Sequence, residues 1–107
     1  MSVFLCLFLG CVKSEPSSDC ESVAEGAERD ACRYRAIAAL SEGHALEVLR
    51  HADLIRDPII RGAALMSWVE KHRANIPTED GTLVCARLVP LERETCVRRL
   101  QSAHLQR

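Results

Sequence analysis

The fold of this protein is decided by the segment Asp57-Pro58-Ile59-Ile60-Arg61-Gly62-Ala63-Ala64, because its main features recur at an interval of 32 residues on both sides. Three columns keep this interval: a turn residue, an arginine, and a cysteine or alanine. The columns are Gly26, Pro58 and Pro90; Arg29, Arg61 and Arg93; and Cys32, Ala64 and Cys96. Turn residues at one phase of such a period are typical of stacked helical hairpins. The sequence therefore predicts an all-α fold of about three αα-hairpin repeats, arranged as a short helical solenoid or a small bundle.

Each repeat is expected to contain a short helix, a turn and a longer helix. The short helices are predicted near residues 18–25, 44–56 and 78–89, and the long ones near 27–42, 58–74 and 90–106. Pro58 suits a first helical position, where no N–H donor is needed, and Asp57 before it is a good N-cap. Apolar side chains at helical spacing, such as Trp68 in the middle repeat and Leu91 in the last, are expected to face the core.

The N-terminal residues predict export. Residues 3–9 form an apolar run that is shorter than the ~20 residues needed to span a bilayer, but it has the length of a signal-peptide core. Phe8-Leu9-Gly10-Cys11 resembles the lipobox of bacterial lipoproteins, and the resemblance covers these four residues. It implies cleavage after Gly10 and lipid attachment to Cys11. The alternative is a cytosolic helical protein with a buried N-terminal helix and reduced cysteines.

This interpretation divides the chain into three parts. Residues 1–10 are predicted to be a lipoprotein signal peptide, residues 11–18 a polar, lipid-anchored tether, and residues 19–107 the helical-hairpin repeat domain. By the same resemblance, Val12 rather than aspartate after Cys11 implies sorting to the outer membrane, with the domain facing the periplasm.

Four cysteines follow Cys11, and an even number in a small exported domain predicts two disulfides. They are Cys20, Cys32, Cys85 and Cys96. Three pairings are possible, and the sequence alone does not choose between them. Cys20–Cys32 with Cys85–Cys96 is favoured, because the two cysteines of each pair lie at equal or nearly equal distances from a predicted hairpin turn. No metal site is expected, since the cysteine spacing does not match that of zinc ligands.

Two further groups are candidate sites. The arginine column (Arg29, Arg61 and Arg93) is expected to form structural ion pairs with carboxylates, or alternatively to line a groove for an acidic partner. His44, Glu47 and His51 lie on one predicted helix, and an enzyme would have to build its site from them. Exposed histidines on a helix surface are the favoured interpretation.

Composition limits the function classes. A formal net charge of −1 gives no overall attraction to nucleic acid, and no recognisable catalytic or cofactor-binding motif occurs. The sequence predicts a non-enzymatic envelope protein without a cofactor, attached to the membrane by lipid, that binds another envelope protein or a peptide. A periplasmic immunity or inhibitor protein is the alternative. The partner, the molecular role and the oligomeric state stay open at this point.

Overall fold

The computed structural model describes residues 20–105, and this part of the chain folds into α-helices without any β-strand. The helices are α1 (Ala27–Ala38), α2 (Ala45–Leu54), α3 (Pro58–His72), α4 (Thr78–Cys85) and α5 (Pro90–Leu105). The predicted all-α class is confirmed. The predicted signal peptide, the tether and the lipidation site Cys11 lie outside the described residues.

Turn chemistry sets the helix starts. Asp57 caps α3 as predicted, because its side chain accepts a hydrogen bond from the backbone N–H of Ile59 at 2.8 Å and Pro58 occupies the first turn. Gly26 precedes α1 with a φ of 102°, a backbone conformation that is strained for residues with a Cβ. The helix starts at the turn column are therefore set in two ways: by an aspartate cap and a proline at α3, and by a glycine with positive φ before α1.

The helices stack in chain order. Each helix packs against the next one and the next but one, and α1 makes no backbone contact with α4 or α5. One layer therefore contains α1, α3 and α5, and the other contains α2 and α4. The described part of the chain is a small all-α bundle in which the units contact only their neighbours, as in a short solenoid.

Helix α3 forms the centre of the core because it packs against all four other helices. Leu65, Trp68 and Val69 on its inner face are buried. The indole N–H of Trp68 donates to the Leu40 carbonyl at 2.9 Å, which satisfies the one polar atom of this buried ring.

The first unit differs from the prediction. A helix was expected near residues 18–25, but the described residues begin with a single 3-10 turn at residues 20–22. Two complete hairpins, α2–α3 and α4–α5, therefore follow a first unit that contributes this turn and α1. Leu91 is also not in the core: it is 76% exposed, like its repeat equivalent Ile59 at 80%, because both lie in the first turn of their helices.

Candidate functional site

The side chains of the arginine column form hydrogen bonds with backbone carbonyl groups. Each guanidinium donates to the carbonyl that ends the preceding turn or helix, and the acceptor residues are themselves repeat equivalents. The bonds run from Arg29 Nη2 to Val23 (3.0 Å), from Arg61 Nη2 to Ile55 (2.8 Å) and from Arg93 Nη2 to Leu88 (3.2 Å). These bonds satisfy carbonyl groups that have no partner at a helix end.

The expected carboxylate pairs are mostly wrong for this column. Arg29 lies 3.7 Å from Glu25, but Arg61 and Arg93 have no carboxylate oxygen within 4.0 Å in the described part of the chain. Their side chains are directed to the backbone instead. The described contacts of the column are therefore structural, because each guanidinium holds a backbone carbonyl group.

The four described cysteines pair locally. Cys20 bonds to Cys32 and Cys85 to Cys96, each with a Cα–Cα separation of 5.6 Å. This is the favoured pairing of the three that the sequence allows. The equivalent positions of the middle unit hold Ala52 and Ala64, which are buried in the core.

The histidines of α2 do not converge. His44 bonds through Nδ1 to the Ser41 hydroxyl at 2.8 Å and borders a shallow cleft beside Asp80. His51 borders a different cleft, and Glu47 lies between the two. A hydrogen bond from Arg50 at 2.9 Å lowers the pKa of the Glu47 carboxyl. Glu47 lines both clefts, and the two histidines open onto different ones.

A cleft lies beside the turn at residues 20–22. We call it the first-unit cleft; its volume is about 310 Å³ and it lies beside the Cys20 end of the first disulfide. Its other lining residues are Glu21, Arg33, Glu47, Arg50, His51 and Leu54. On the opposite side, α2 is covered by α4. Among the described residues, the turn, α1 and α2 therefore form the walls of this cleft.

Two polar atoms of this cleft lack partners. Arg33 is only 4% exposed; its Nη2 donates to Glu21 Oε2 at 2.7 Å, but its Nε is buried with no hydrogen-bond acceptor. His51 Nδ1 is likewise buried and unpaired. Burial lowers the pKa of the His51 imidazole, and the nearby charges of Arg50 and Arg33 lower it further, against a raising effect of Glu47. His51 is therefore neutral at neutral pH.

Comparisons with known proteins give no match. No family model, no curated protein and no solved structure matches the chain. In the described residues, no group of three or more His, Cys, Asp or Glu side chains could hold a metal ion, and no helix there has the length and hydropathy of a membrane span. Function must therefore be argued from the clefts themselves.

The sequence did contain a signal for the first-unit cleft. In the repeat alignment, Arg33 occupies the position of Leu65 and Val97, and His51 occupies the position of Val84. Arg33 thus stands in a column that is otherwise apolar, whereas the column of His51 also holds the polar Asp19 in the first unit. Arg33 was not among the predicted site residues, and His51 was expected to be an exposed histidine of a helix surface, whereas its Nδ1 is buried.

Asp30 is a second buried charge, and its role is structural. Its carboxylate accepts hydrogen bonds from the backbone N–H groups of Arg56 and Asp57, at 3.0 and 3.1 Å. These bonds tie α1 to the start of α3. Because both oxygens have backbone donors, Asp30 needs no ligand to explain its burial.

Proposed function

We propose that this protein is a small lipid-anchored protein of the bacterial cell envelope that acts by binding another protein or a peptide. The observation that carries the binding role is the first-unit cleft, a concavity beside helix α2 whose lining residues Arg33 and His51 have buried, unpaired nitrogen atoms. Arrays of helical hairpins commonly bind their partners on such surfaces. No part of this role requires chemistry on the ligand.

The lipid anchor is proposed from the sequence, and the disulfides support it. Cys11 would carry the lipid, and residues 12–18 would hold the repeat domain away from the outer membrane on its periplasmic side. Two disulfides at bonding distance within one small domain suit an oxidising compartment. The same pairs would be reduced in the cytosol, where the alternative interpretation places the protein.

The intact mass of the protein isolated from bacterial membranes tests this proposal. We expect a chain that begins at a lipid-modified Cys11 and gains four hydrogen atoms on reduction, because two disulfides open. The variant Cys11→Ala is the matched control, and it should keep the disulfides but leave the membrane fraction. An unprocessed chain with free thiols in the soluble fraction would contradict both the anchor and the exported location.

A further inference from the structure

The burial of Arg33 is unfavourable for the free energy of folding. A buried guanidinium loses its hydration, and this loss is offset only when its donors are fully paired. Arg33 has one carboxylate partner, Glu21, whose side chain is 71% exposed, while its Nε has no acceptor. The equivalent residues Leu65 and Val97 show that an apolar side chain meets the structural need of this column. An arginine here requires another explanation.

His51 is a second incompletely paired residue in the same place. Its Nδ1 is buried without a hydrogen-bond partner, whereas the equivalent residue in the last unit, Val84, is apolar and fully buried. Arg33 and His51 line one cleft. Two side chains with buried, unpaired nitrogen atoms at a single concavity are typical of a binding site that disagrees with the rules of the surrounding fold.

We propose that the first-unit cleft binds the C-terminal carboxylate of a peptide, with Arg33 and Arg50 as its donors. This inference rests on the proposed binding role and names the chemistry of the ligand. Arg50, 63% exposed and paired with Glu47 at the rim, is accessible from solvent, and Arg33 lies behind it. The ligand carboxylate takes the place of the Glu21 carboxylate, which swings into solvent from its exposed position.

The other lining residues select the ligand. Leu54 provides an apolar wall for the side chain next to the carboxylate. Glu21 and Glu47 place two negative charges nearby, and these repel a phosphate dianion more strongly than a carboxylate. The cleft therefore favours a single negative charge attached to an apolar residue, which is the chemistry of a peptide C-terminus.

The test uses the full chain with its disulfides intact and N-acetyl-leucine as the probe. We expect the probe to shift the NMR signals of the Arg33 Nε–H and the His51 ring, while N-acetyl-leucinamide, which lacks the charge, does not. Acetate and inorganic phosphate serve as further probes, and both should bind more weakly than N-acetyl-leucine. Absence of binding, equal binding of the amide, or tighter binding of acetate or phosphate overturns the proposal.

Arg33→Leu is the decisive variant because it installs the residue of the sister unit. We expect it to melt at or above the temperature of the wild type and to weaken the probe by about tenfold or more, since charge-assisted bonds are lost. Arg35→Leu, an exposed change on the same helix, is the control and should bind normally. Unchanged affinity of Arg33→Leu would overturn the assignment.

A second variant keeps the test decisive even if Arg33→Leu misfolds. Arg50→Ala removes an exposed rim donor, so it should fold normally and still weaken the probe; normal binding would contradict the role of Arg50. The mass measurement and this titration fail separately. The first reports on the lipid anchor and the compartment, and the second reports on the cleft in purified protein.

Discussion

At the residue scale, the repeat depends on a few side chains that hydrogen-bond to the backbone. Arg29, Arg61 and Arg93 donate to equivalent carbonyl groups, and the guanidinium suits this task because it presents several donors in a planar fork. Arg33 and His51 are exceptions: Arg33 occupies a column that is otherwise apolar, and both side chains have a buried nitrogen without a hydrogen-bond partner. The recurring geometry of the repeat and the exceptions to it can thus both be assigned to single residues.

The exception at His51 makes stability depend on pH. Burial lowers the pKa of this imidazole below its ordinary value of 6.5, so the unfolded chain binds a proton that the folded chain resists. Stability contributed by this residue is complete above pH 6.5 and is lost as the pH falls below it. We expect the melting temperature to drop between about pH 7.5 and pH 5.5, and His51→Val to reduce that drop.

The matched control is His44→Val, at the N-cap of the same helix. His44 is exposed, so its removal should leave the pH dependence close to that of the wild type. Circular dichroism melts of the three proteins at the two pH values make the comparison. A pH profile of His51→Val that coincides with that of the wild type would show that the His51 imidazole is not held neutral by the fold.

At the element scale, two glycines inside helices show how closely the helices approach one another. A Cβ at Gly81 in α4 would meet the buried Leu100 of α5 at 2.6 Å, whereas a Cβ at Gly62 in α3 would meet Glu92 Oε1 at 3.1 Å. Glu92 is exposed and can turn away, but Leu100 is confined in the core. The same residue type therefore has a packing role in one helix and none in the other.

This contrast predicts opposite effects for one substitution. Gly62→Ala should stabilise the protein by about 0.5–1 kcal/mol, because alanine is the better helix former. Gly81→Ala should destabilise it by about 1 kcal/mol, because the clash with Leu100 exceeds the same gain. Chemical denaturation of both variants measures the two free energies of unfolding. A stabilised Gly81→Ala variant would mean that α4 and α5 are less closely packed than described.

At the scale of the whole molecule, the disulfides lie at the two ends of the array. Cys20–Cys32 closes the first unit and Cys85–Cys96 closes the last, while the middle unit has alanines at these positions. The middle unit packs against neighbours on both sides, but each end unit has only one. Covalent closure is therefore found where packing supplies the least support.

Removal of the last disulfide should loosen one end rather than the whole molecule. The double variant Cys85→Ala and Cys96→Ala copies the middle unit and should lose about 3 kcal/mol in the chain-entropy account of a loop this size. Native-state hydrogen exchange should show the loss in α4 and α5, with α1 less affected because it does not contact them. An equal loss of protection in all five described helices would contradict the neighbour-only coupling of the array.

Much of this architecture was predictable because it depends on local chemistry. The turn residues, which recur every 32 residues, and the helix cap at Asp57 act within a few positions along the chain. Their pattern is therefore visible in the sequence. The local disulfides follow from the same hairpins. The arginine column was visible too, but its partner was not, because a guanidinium at this spacing can reach either a carboxylate or a carbonyl and only the packed turn selects one.

The sequence by itself determined the all-α class, the repeat and its turns, because helical periodicity and turn preference are properties of short segments. The tertiary structure decided which described residues meet. Arg33 of α1 and His51 of α2 line one cleft beside the turn at residues 20–22. A cleft of this kind depends on which segments meet in space. It was not visible in the sequence, because Arg33 and His51 are far apart along the chain.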